Sequence, residues 1–292
     1  MKLGTILGVG IYVNPFFLAL IALFFVAGVL EKGLVAFLVV LLHELAHAMA
    51  ARKVGVQATE VELLPFGGVT RMGSDPALEP AKELYIAVAG PASNILMALV
   101  ALAFKNYGIW DESIGPFFLQ SNILIAAFNT LPALPLDGGR VYRALLAGKL
   151  GIKKASYRAA SYGQAWAVLI IAVGVAGLLL GITGLDVMIT GMFLYYAATR
   201  EKMAAPYLFI KHIMKKKEEL DAAGVLPAGI MVALEDAELG DILRSFIPQK
   251  FHLVIVLDRS LAQKGMVTEN RIVDTLMSEG LNFPVGKIID GY

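Results

Sequence analysis

His43, Glu44 and His47 form the pattern His-Glu-x-x-His within "LLHELAHAMAAR", residues 41–52. On a helix, residues four apart lie on one face, so both imidazoles can bind a single zinc ion. Zinc lowers the pKa of its bound water and polarises a carbonyl, and an adjacent carboxylate can accept the water proton. The pattern therefore predicts a hydrolytic metal site with Glu44 as general base, suited to cleavage of a peptide bond.

The surroundings of this motif are those of a membrane helix. The residues just before it read "LVAFLVVLL", and the whole chain is 58% hydrophobic with a mean hydropathy of +0.70. Such a composition predicts a membrane protein and excludes a soluble zinc protease. The chain has no cysteine, which excludes a disulfide framework and a thiolate metal site. Its net charge of +1 gives no sign of a nucleic-acid partner, and we expect none.

Six apolar segments approach the roughly 20 residues that cross a bilayer. Lysine and arginine are concentrated between the second and third segments, between the fourth and fifth, and after the sixth, so both termini should be cytoplasmic. The sequence therefore predicts a polytopic α-helical membrane protein with about six transmembrane helices, and its last two segments should form a tight hairpin. The segments are 11–30, 33–51, 83–104, 116–136, 163–181 and 183–199.

A third metal ligand should come from within or near the membrane, because hydrolytic zinc sites use three protein ligands and leave one position open. His212 lies among lysines and His252 begins a soluble strand, so neither is suited. Asp137 is the candidate, because Pro132 and Pro135 break the helix before it and two glycines follow. Broken backbone at membrane depth is tolerated where it lines a cavity or is buried in protein. The alternative is that Asp137 only caps a helix at a turn.

The chain divides by composition into three parts. Residues 1–200 form the membrane-embedded domain, 201–224 a basic helical linker, and 225–292 a small soluble α/β region. In the last part, 238–249 is predicted to be a helix, 251–258 a strand, and 264–280 a strand followed by a second helix.

His43-Glu44-x-x-His47, "NTLPALPLDGG" at 129–139 and "AGPASN" at 89–94 together resemble the site-2 protease family of intramembrane zinc metalloproteases. The resemblance covers 13–199. It implies His43, His47 and Asp137 as ligands of one zinc ion per chain and Glu44 as the catalytic residue. It also implies that Asn129 binds substrate or the transition-state oxygen, the alternative being a hydrogen bond between helices.

"VELLPFGGVTRM" at 61–72 has strand-like residues on either side of a Pro-x-Gly-Gly break. In the family this region forms a membrane-dipping hairpin or loop beside the site. An exposed strand edge there could pair with an unwound substrate, and we predict that Phe66, Gly67 and Gly68 face the substrate. The alternative is an ordinary cytoplasmic loop.

Within the family, the absence of an inserted PDZ domain makes the chain similar to the stage IV sporulation protein FB group. That likeness implies a bacterial cell-membrane protein that cleaves a membrane-associated substrate of the pro-sigma-K type and is held back by inhibitory membrane proteins. The region 225–292 resembles a single cystathionine β-synthase (CBS) motif. Such motifs work in pairs and often bind ATP or another adenine nucleotide, which implies a homo-oligomer; the alternative is a docking or dimerising domain without ligand.

Two other functions stay open at this stage. A related protease could act on a different membrane substrate, such as an anti-sigma factor. A non-catalytic membrane regulator could instead use nucleotide binding at 225–292 to control a partner, although the intact set of His43, Glu44, His47 and Asp137 argues against it.

Overall fold

The computed structural model describes residues 1–289 except 7, 65–66, 74, 109, 183, 226, 247–249 and 281. The side chains of 207–223, 244 and 277 also lie outside the described set. The chain divides into two compact units, Met1–Ala205 and Pro206–Tyr292.

The first unit contains a four-stranded sheet in the order β1-β2-β3-β4. β1 pairs antiparallel with β2, β2 parallel with β3, and β3 antiparallel with β4. The last pair is the strand–break–strand hairpin predicted around Gly67 and Gly68. The strands are β1 Lys2–Ile6, β2 Val9–Val13, β3 Ala58–Leu64 and β4 Gly67–Met72.

Helices make up the rest of this unit, and the parallel β2–β3 pair is connected by the first two of them. The structure has α1 Pro15–Val26, α2 Leu30–Lys53, α3 Pro80–Asn106, α4 Gly115–Thr130, α5 Asp137–Leu150, α6 Ile152–Leu179 and α7 Leu185–Ala223, of which the part up to Ala205 belongs to this unit. Among the described residues, three helices are long and apolar enough to cross a membrane, namely α2, α3 and α6.

The predicted segment 11–30 is wrong as one continuous helix. Residues 9–13 form β2, and α1 has only 12 residues, short of the roughly 20 that span a bilayer. The reason is local: Asn14 caps the helix by accepting a hydrogen bond from the amide of Phe16, and Pro15 takes the first helical position. The fourth segment ends at Thr130 rather than at 136, and α5 was not predicted.

The sheet packs on the C-terminal half of α2, which carries the metal-ligand motif. One buried cluster joins strand residues to small residues of α2 and to α3; its members are Val9, Ala48, Ala50, Ala51, Val56, Ala58, Val61 and Ile86. Alanine on α2 lets the sheet approach the helix closely, so the backbone of β4 comes within reach of the motif.

α6 and α7 form the predicted antiparallel hairpin. Gln164 in the middle of α6 donates to Thr199 on α7 at 2.9 Å, and Gly174 approaches the backbone of Met188 nearer the loop between the two helices. Small residues therefore set the close spacing of these two helices.

The second unit contains a three-stranded sheet in the order β5-β6-β7 with helices on one face. β5 pairs parallel with β6, and β6 antiparallel with β7. The two predicted strands and the second predicted helix are present. The helix predicted over 238–249 ends at Arg244, and its residues 247–249 lie outside the described residues; β5 was not predicted. The elements are β5 Ala228–Leu234, α8 Leu239–Arg244, β6 Phe251–Leu257, β7 Gln263–Thr268, α9 Glu269–Glu279 and α10 Gly286–Ile289.

Candidate metal centre

His43 and His47 lie on the same face of α2 and are almost completely buried, with 4% and 3% of their surface exposed. Their rings meet edge to face, with centroids 4.7 Å apart. The helix alone accounts for this arrangement, because residues at i and i+4 lie one turn apart. The two Nε2 atoms are 3.1 Å from each other.

Asp137 reaches this pair from the first residue of α5. Its Oδ2 atom lies 3.1 Å from Nε2 of His43 and 3.0 Å from Nε2 of His47. Gly138 and Gly139 allow this approach by their size: an added Cβ would lie 2.3 Å from the carbonyl oxygen of Thr130 and 2.2 Å from the amide nitrogen of Leu134, respectively. These glycines are therefore needed for close packing of the 131–136 turn on α5, rather than for backbone freedom.

The far nitrogen of each ring fixes the tautomer of that ring. Nδ1 of His47 lies 2.7 Å from the carbonyl oxygen of Ile86, which can only accept, so Nδ1 carries the proton. Nδ1 of His43 contacts Oδ1 of Asn94, an acceptor of the same kind. In neutral imidazoles, both Nε2 atoms then present lone pairs to Asp137.

Three electron-pair donors therefore converge within 3.1 Å with no proton between them, an arrangement that is repulsive unless a cation lies among them. Ligand atoms of a tetrahedral zinc ion lie roughly 3.3 Å from one another. His43, His47 and Asp137 are a group that could hold one metal ion. Nitrogen and carboxylate donors in this number are the set used by hydrolytic zinc sites.

Gly90 of α3 forms the opposite wall. A Cβ at this position would lie 2.3 Å from Nε2 of His47 and 2.6 Å from Cε1 of His43. Any larger residue would displace both rings, so this glycine of "AGPASN" is required by the site.

Glu44 is half-buried on the neighbouring face of α2 and is held by β4. Its Oε2 accepts a 2.7 Å hydrogen bond from the hydroxyl of Thr70, and its backbone oxygen accepts from the same hydroxyl at 3.3 Å. An added Cβ on Gly68 would lie 2.4 Å from Cγ of Glu44. The hairpin is thus packed directly on the predicted general base.

The residues predicted to bind substrate, namely Phe66, Gly67, Gly68 and Asn129, do not all lie at the metal centre in the part of the chain that the structure describes. Gly67 and Gly68 start β4, with Gly68 against Glu44, whereas Phe66 lies outside the described residues. The amide of Asn129 donates to the carbonyl oxygen of Ile125 within α4 at 3.1 Å, so its Nδ2 is used within its own helix. Substrate binding by Asn129 stays a prediction.

His252 has its own buried partners within the second unit. His252 is 1% exposed and both its backbone amide and its Nδ1 lie 2.9 Å from Oε2 of Glu269, with Phe246 stacked on its ring. This is the structural role expected from its position in a strand. The side chain of His212 lies outside the described set.

Several residues of the site were not identified from sequence. Asn94 belongs to the "AGPASN" motif, but the sequence predicted no contact for its side chain. No role was predicted for Asn122 or Thr70. A fully buried amide in an apolar segment is costly unless it is hydrogen-bonded, so Asn122 carried a usable signal. Thr70 carried none, because only the tertiary packing of β4 brings it to Glu44.

The chain is similar to known proteins over much of its length. Residues 33–110, which contain His43, Glu44, His47 and Asn94, match the model of peptidase family M50. The chain is 32% identical over 265 residues to putative zinc metalloprotease Rip3 of Mycobacterium tuberculosis, covering 85% of this chain and 64% of that one. It is 31% identical over 145 residues to stage IV sporulation protein FB of Bacillus subtilis, half of each chain.

The chain thus spans about half to two thirds of the length of these curated relatives. Among solved structures it is similar to the site-2 protease from Methanocaldococcus jannaschii, with a TM-score of 0.55 and 30% identity. That match covers 69% of this chain and 94% of the other. Together with the geometry of the metal centre, this likeness shows that the chain belongs to the site-2 protease family of zinc metalloproteases, peptidase family M50.

Proposed function

We propose that this protein is an intramembrane zinc endopeptidase that cleaves a membrane-associated protein near the cytoplasmic face. The observation that supports it most is the convergence of three potential ligand atoms beside a carboxylate that is not among them. His43, His47 and Asp137 would hold the metal, and Glu44 would remain free for proton transfer.

A zinc ion held by His43, His47 and Asp137 would lower the pKa of a bound water and polarise the scissile carbonyl. Glu44 would accept the proton of that water and deliver it to the leaving amine, acting first as base and then as acid. Thr70 holds one carboxylate oxygen of Glu44 and so fixes the direction in which the other can act.

The hairpin provides a way to present an extended substrate. β4 pairs with β3 on one side, and in the sheet order it is an edge strand. A substrate segment that added to this edge would lie next to Glu44, because Gly68 packs on that side chain. An extended segment also exposes the carbonyls that a helix would shield. We therefore assign substrate contact to Gly67 and Gly68, and to Phe66 by continuity.

The proposed setting is a chain that crosses the membrane about six times with both termini in the cytoplasm, with α1, shorter than a usual span, counted as the first crossing. Support comes from the three long apolar helices, from the hairpin of α6 and α7, and from the basic residues on one set of connections. A cytoplasmic opening suits a substrate that is released to act on transcription.

For the substrate we favour a pro-sigma factor of the pro-sigma-K type, with inhibitory membrane proteins as regulators. The support is the likeness to stage IV sporulation protein FB over half of each chain, together with the sequence patterns described above. Another membrane substrate, such as an anti-sigma factor, is the second candidate.

The second unit is proposed to be a CBS-like regulatory domain that pairs with a second copy and binds an adenine nucleotide. One face of its sheet packs on helices, whereas the other presents exposed apolar side chains: Ile230, Val232 and Met266 are 68%, 62% and 56% exposed. An apolar face of this kind favours association. A role as a nucleotide sensor without catalysis is disfavoured by the complete metal centre.

Co-expression with a pro-sigma-K-type substrate tests the proposal, with product size read on a blot. Wild type should give a shortened product, and Glu44→Gln should give none while retaining zinc, because the amide cannot accept a proton. Glu31→Gln, an exposed glutamate on the same helix, is the control and should cleave normally. Cleavage by Glu44→Gln would remove Glu44 from the mechanism.

A further inference from the structure

Asn122 is a buried amide of α4 that the proposed chemistry does not use. It is fully buried, as is Asn94 on α3. The Nδ2 of Asn122 donates to the carbonyl oxygen of Phe118 at 2.9 Å, and its Oδ1 accepts from Nδ2 of Asn94 at 3.0 Å. Asn94 in turn contacts Nδ1 of His43. A chain of hydrogen bonds therefore runs from the backbone of α4 to a ring of the metal centre.

The donor-to-acceptor direction of these hydrogen bonds is fixed at the end that lies at Phe118. The carbonyl oxygen of Phe118 can only accept, so a flipped Asn122 would set two acceptors against each other. Asn122 must therefore turn its oxygen to Asn94. Asn94 must then donate to it, which leaves the oxygen of Asn94 facing Nδ1 of His43.

The direction decides which nitrogen of His43 is free. An oxygen at Nδ1 keeps the proton there and leaves a lone pair on Nε2, which lies 3.1 Å from Asp137. If Asn94 flipped, its amide would donate to Nδ1, and the proton of the neutral ring would move to Nε2. A protonated Nε2 cannot bind a cation.

The contact with His43 alone does not fix the orientation of the Asn94 amide, because a ring nitrogen can pair with either its oxygen or its nitrogen. The partner that distinguishes the two ends is Asn122. Burial strengthens the discrimination, since a mismatched buried amide cannot turn to water instead.

We propose that Asn122 is a positioning residue that keeps His43 in its metal-binding tautomer through Asn94. The inference rests on the proposed zinc site. Outer partners of metal ligands typically change metal affinity about 10- to 100-fold when removed, and Asn122 would be such a partner acting two side chains away from the metal.

The test is zinc affinity of the purified full chain in detergent, measured by competition with a chelating indicator after metal removal. Asn122→Leu keeps the branched shape of the side chain but removes both the acceptor and the donor, so Asn94 is free to flip. Zinc affinity should fall about 10- to 100-fold. Ser121→Ala, a buried polar side chain on the same helix, should bind zinc like wild type.

A second substitution separates hydrogen-bond direction from packing. Asp at position 94 presents an oxygen whichever way it turns, so it cannot donate to His43. Asn94→Asp combined with Asn122→Leu should therefore regain most of the lost affinity. A double variant as weak as Asn122→Leu would overturn the proposal, as would unchanged affinity in the single variant.

Folding is checked in each variant by size-exclusion elution and circular dichroism. Should Asn122→Leu fail to fold, Asn122→Ala makes the same comparison with the same rescue. Wild type that binds no zinc would overturn the proposed function itself. Wild type and Asn122→Leu binding zinc equally would overturn only the role of Asn122.

Discussion

Nε of Arg143 on α5 donates to Oε1 of Glu83 on α3 at 2.9 Å, and both side chains are nearly buried, at 6% and 2% exposed. Glu83 lies one turn before Ile86, whose carbonyl binds His47, and Arg143 lies six residues after Asp137. The ion pair therefore fastens the helix that carries Asp137 to the helix that supports a histidine. Glu201 on α7 adds a longer contact, 3.8 Å from Arg143.

Breaking this pair should destabilise the protein strongly. Arg143→Met leaves the carboxylate of Glu83 buried without its cation, which costs roughly 3–5 kcal/mol. The double variant Glu83→Leu/Arg143→Met removes both charges and should recover much of the loss. The measurement is the thermal unfolding midpoint of the full chain in detergent.

The matched control for this prediction is Arg71→Met in the sheet. Arg71 also pairs with a glutamate, Glu62, at 2.7 Å, but its side chain is 62% exposed. Exposed pairs contribute about 0–1 kcal/mol, so this variant should unfold close to wild type. If Glu83→Leu/Arg143→Met unfolded at as low a temperature as Arg143→Met alone, a buried unpaired charge would not be the cause of the lost stability.

Thr70→Val should slow cleavage without removing zinc. Valine has nearly the same shape but lacks the hydroxyl that donates to Glu44 at 2.7 Å. A hydrogen bond to a charged group contributes about 1.5–3 kcal/mol, so loss of the fixed carboxylate should reduce kcat about tenfold or more. Cleavage rate and zinc per chain are measured on the same preparation.

Thr59→Val is the control for that substitution. Its hydroxyl lies in the same sheet and donates to the backbone oxygen of Arg71 at 3.3 Å, away from Glu44. We expect a wild-type rate. Loss of zinc in Thr70→Val, or an unchanged rate, would contradict the positioning of Glu44 by Thr70.

Gly90→Ala should abolish zinc binding. The added methyl group would lie 2.3 Å from Nε2 of His47, the atom that would bind the metal, and both rings are held on their far sides. Gly148→Ala, a helical glycine with open space around it, should bind zinc normally. Zinc content by metal analysis distinguishes the two, and full occupancy in Gly90→Ala would mean that α3 can move away.

The sequence predicts the part of the metal centre whose residues lie close together along the chain. His43, Glu44 and His47 lie within one turn and a half of helix, so their spacing fixes their geometry. Asp137 required an argument by elimination, since it comes from α5. Asn122 and Thr70 depend on contacts across 28 and 26 residues, which no local pattern records.

In the fold, too, local features were predicted from the sequence, whereas those that depend on distant contacts were not. α2 and α3 were predicted because long apolar runs make helices in a membrane. β2 was not, because "VGIYV" is apolar like the run of α1 that follows it, and its pairing with β1 and β3 makes it a strand. β5 likewise depends on pairing with β6.

Asp137→Asn should lower zinc affinity and cleavage together. Asparagine keeps the size of the side chain, but it loses the negative charge that offsets that of the metal and can present a donor to the two Nε2 atoms. Glu44→Gln is the matched comparison: the same change from acid to amide, one residue from a ligand, should stop cleavage and leave zinc bound. Metal analysis and a cleavage assay on both proteins separate the roles. If Asp137→Asn kept its zinc, the third ligand would have to be sought elsewhere, and the convergence of Asp137 on the two histidines would serve packing alone.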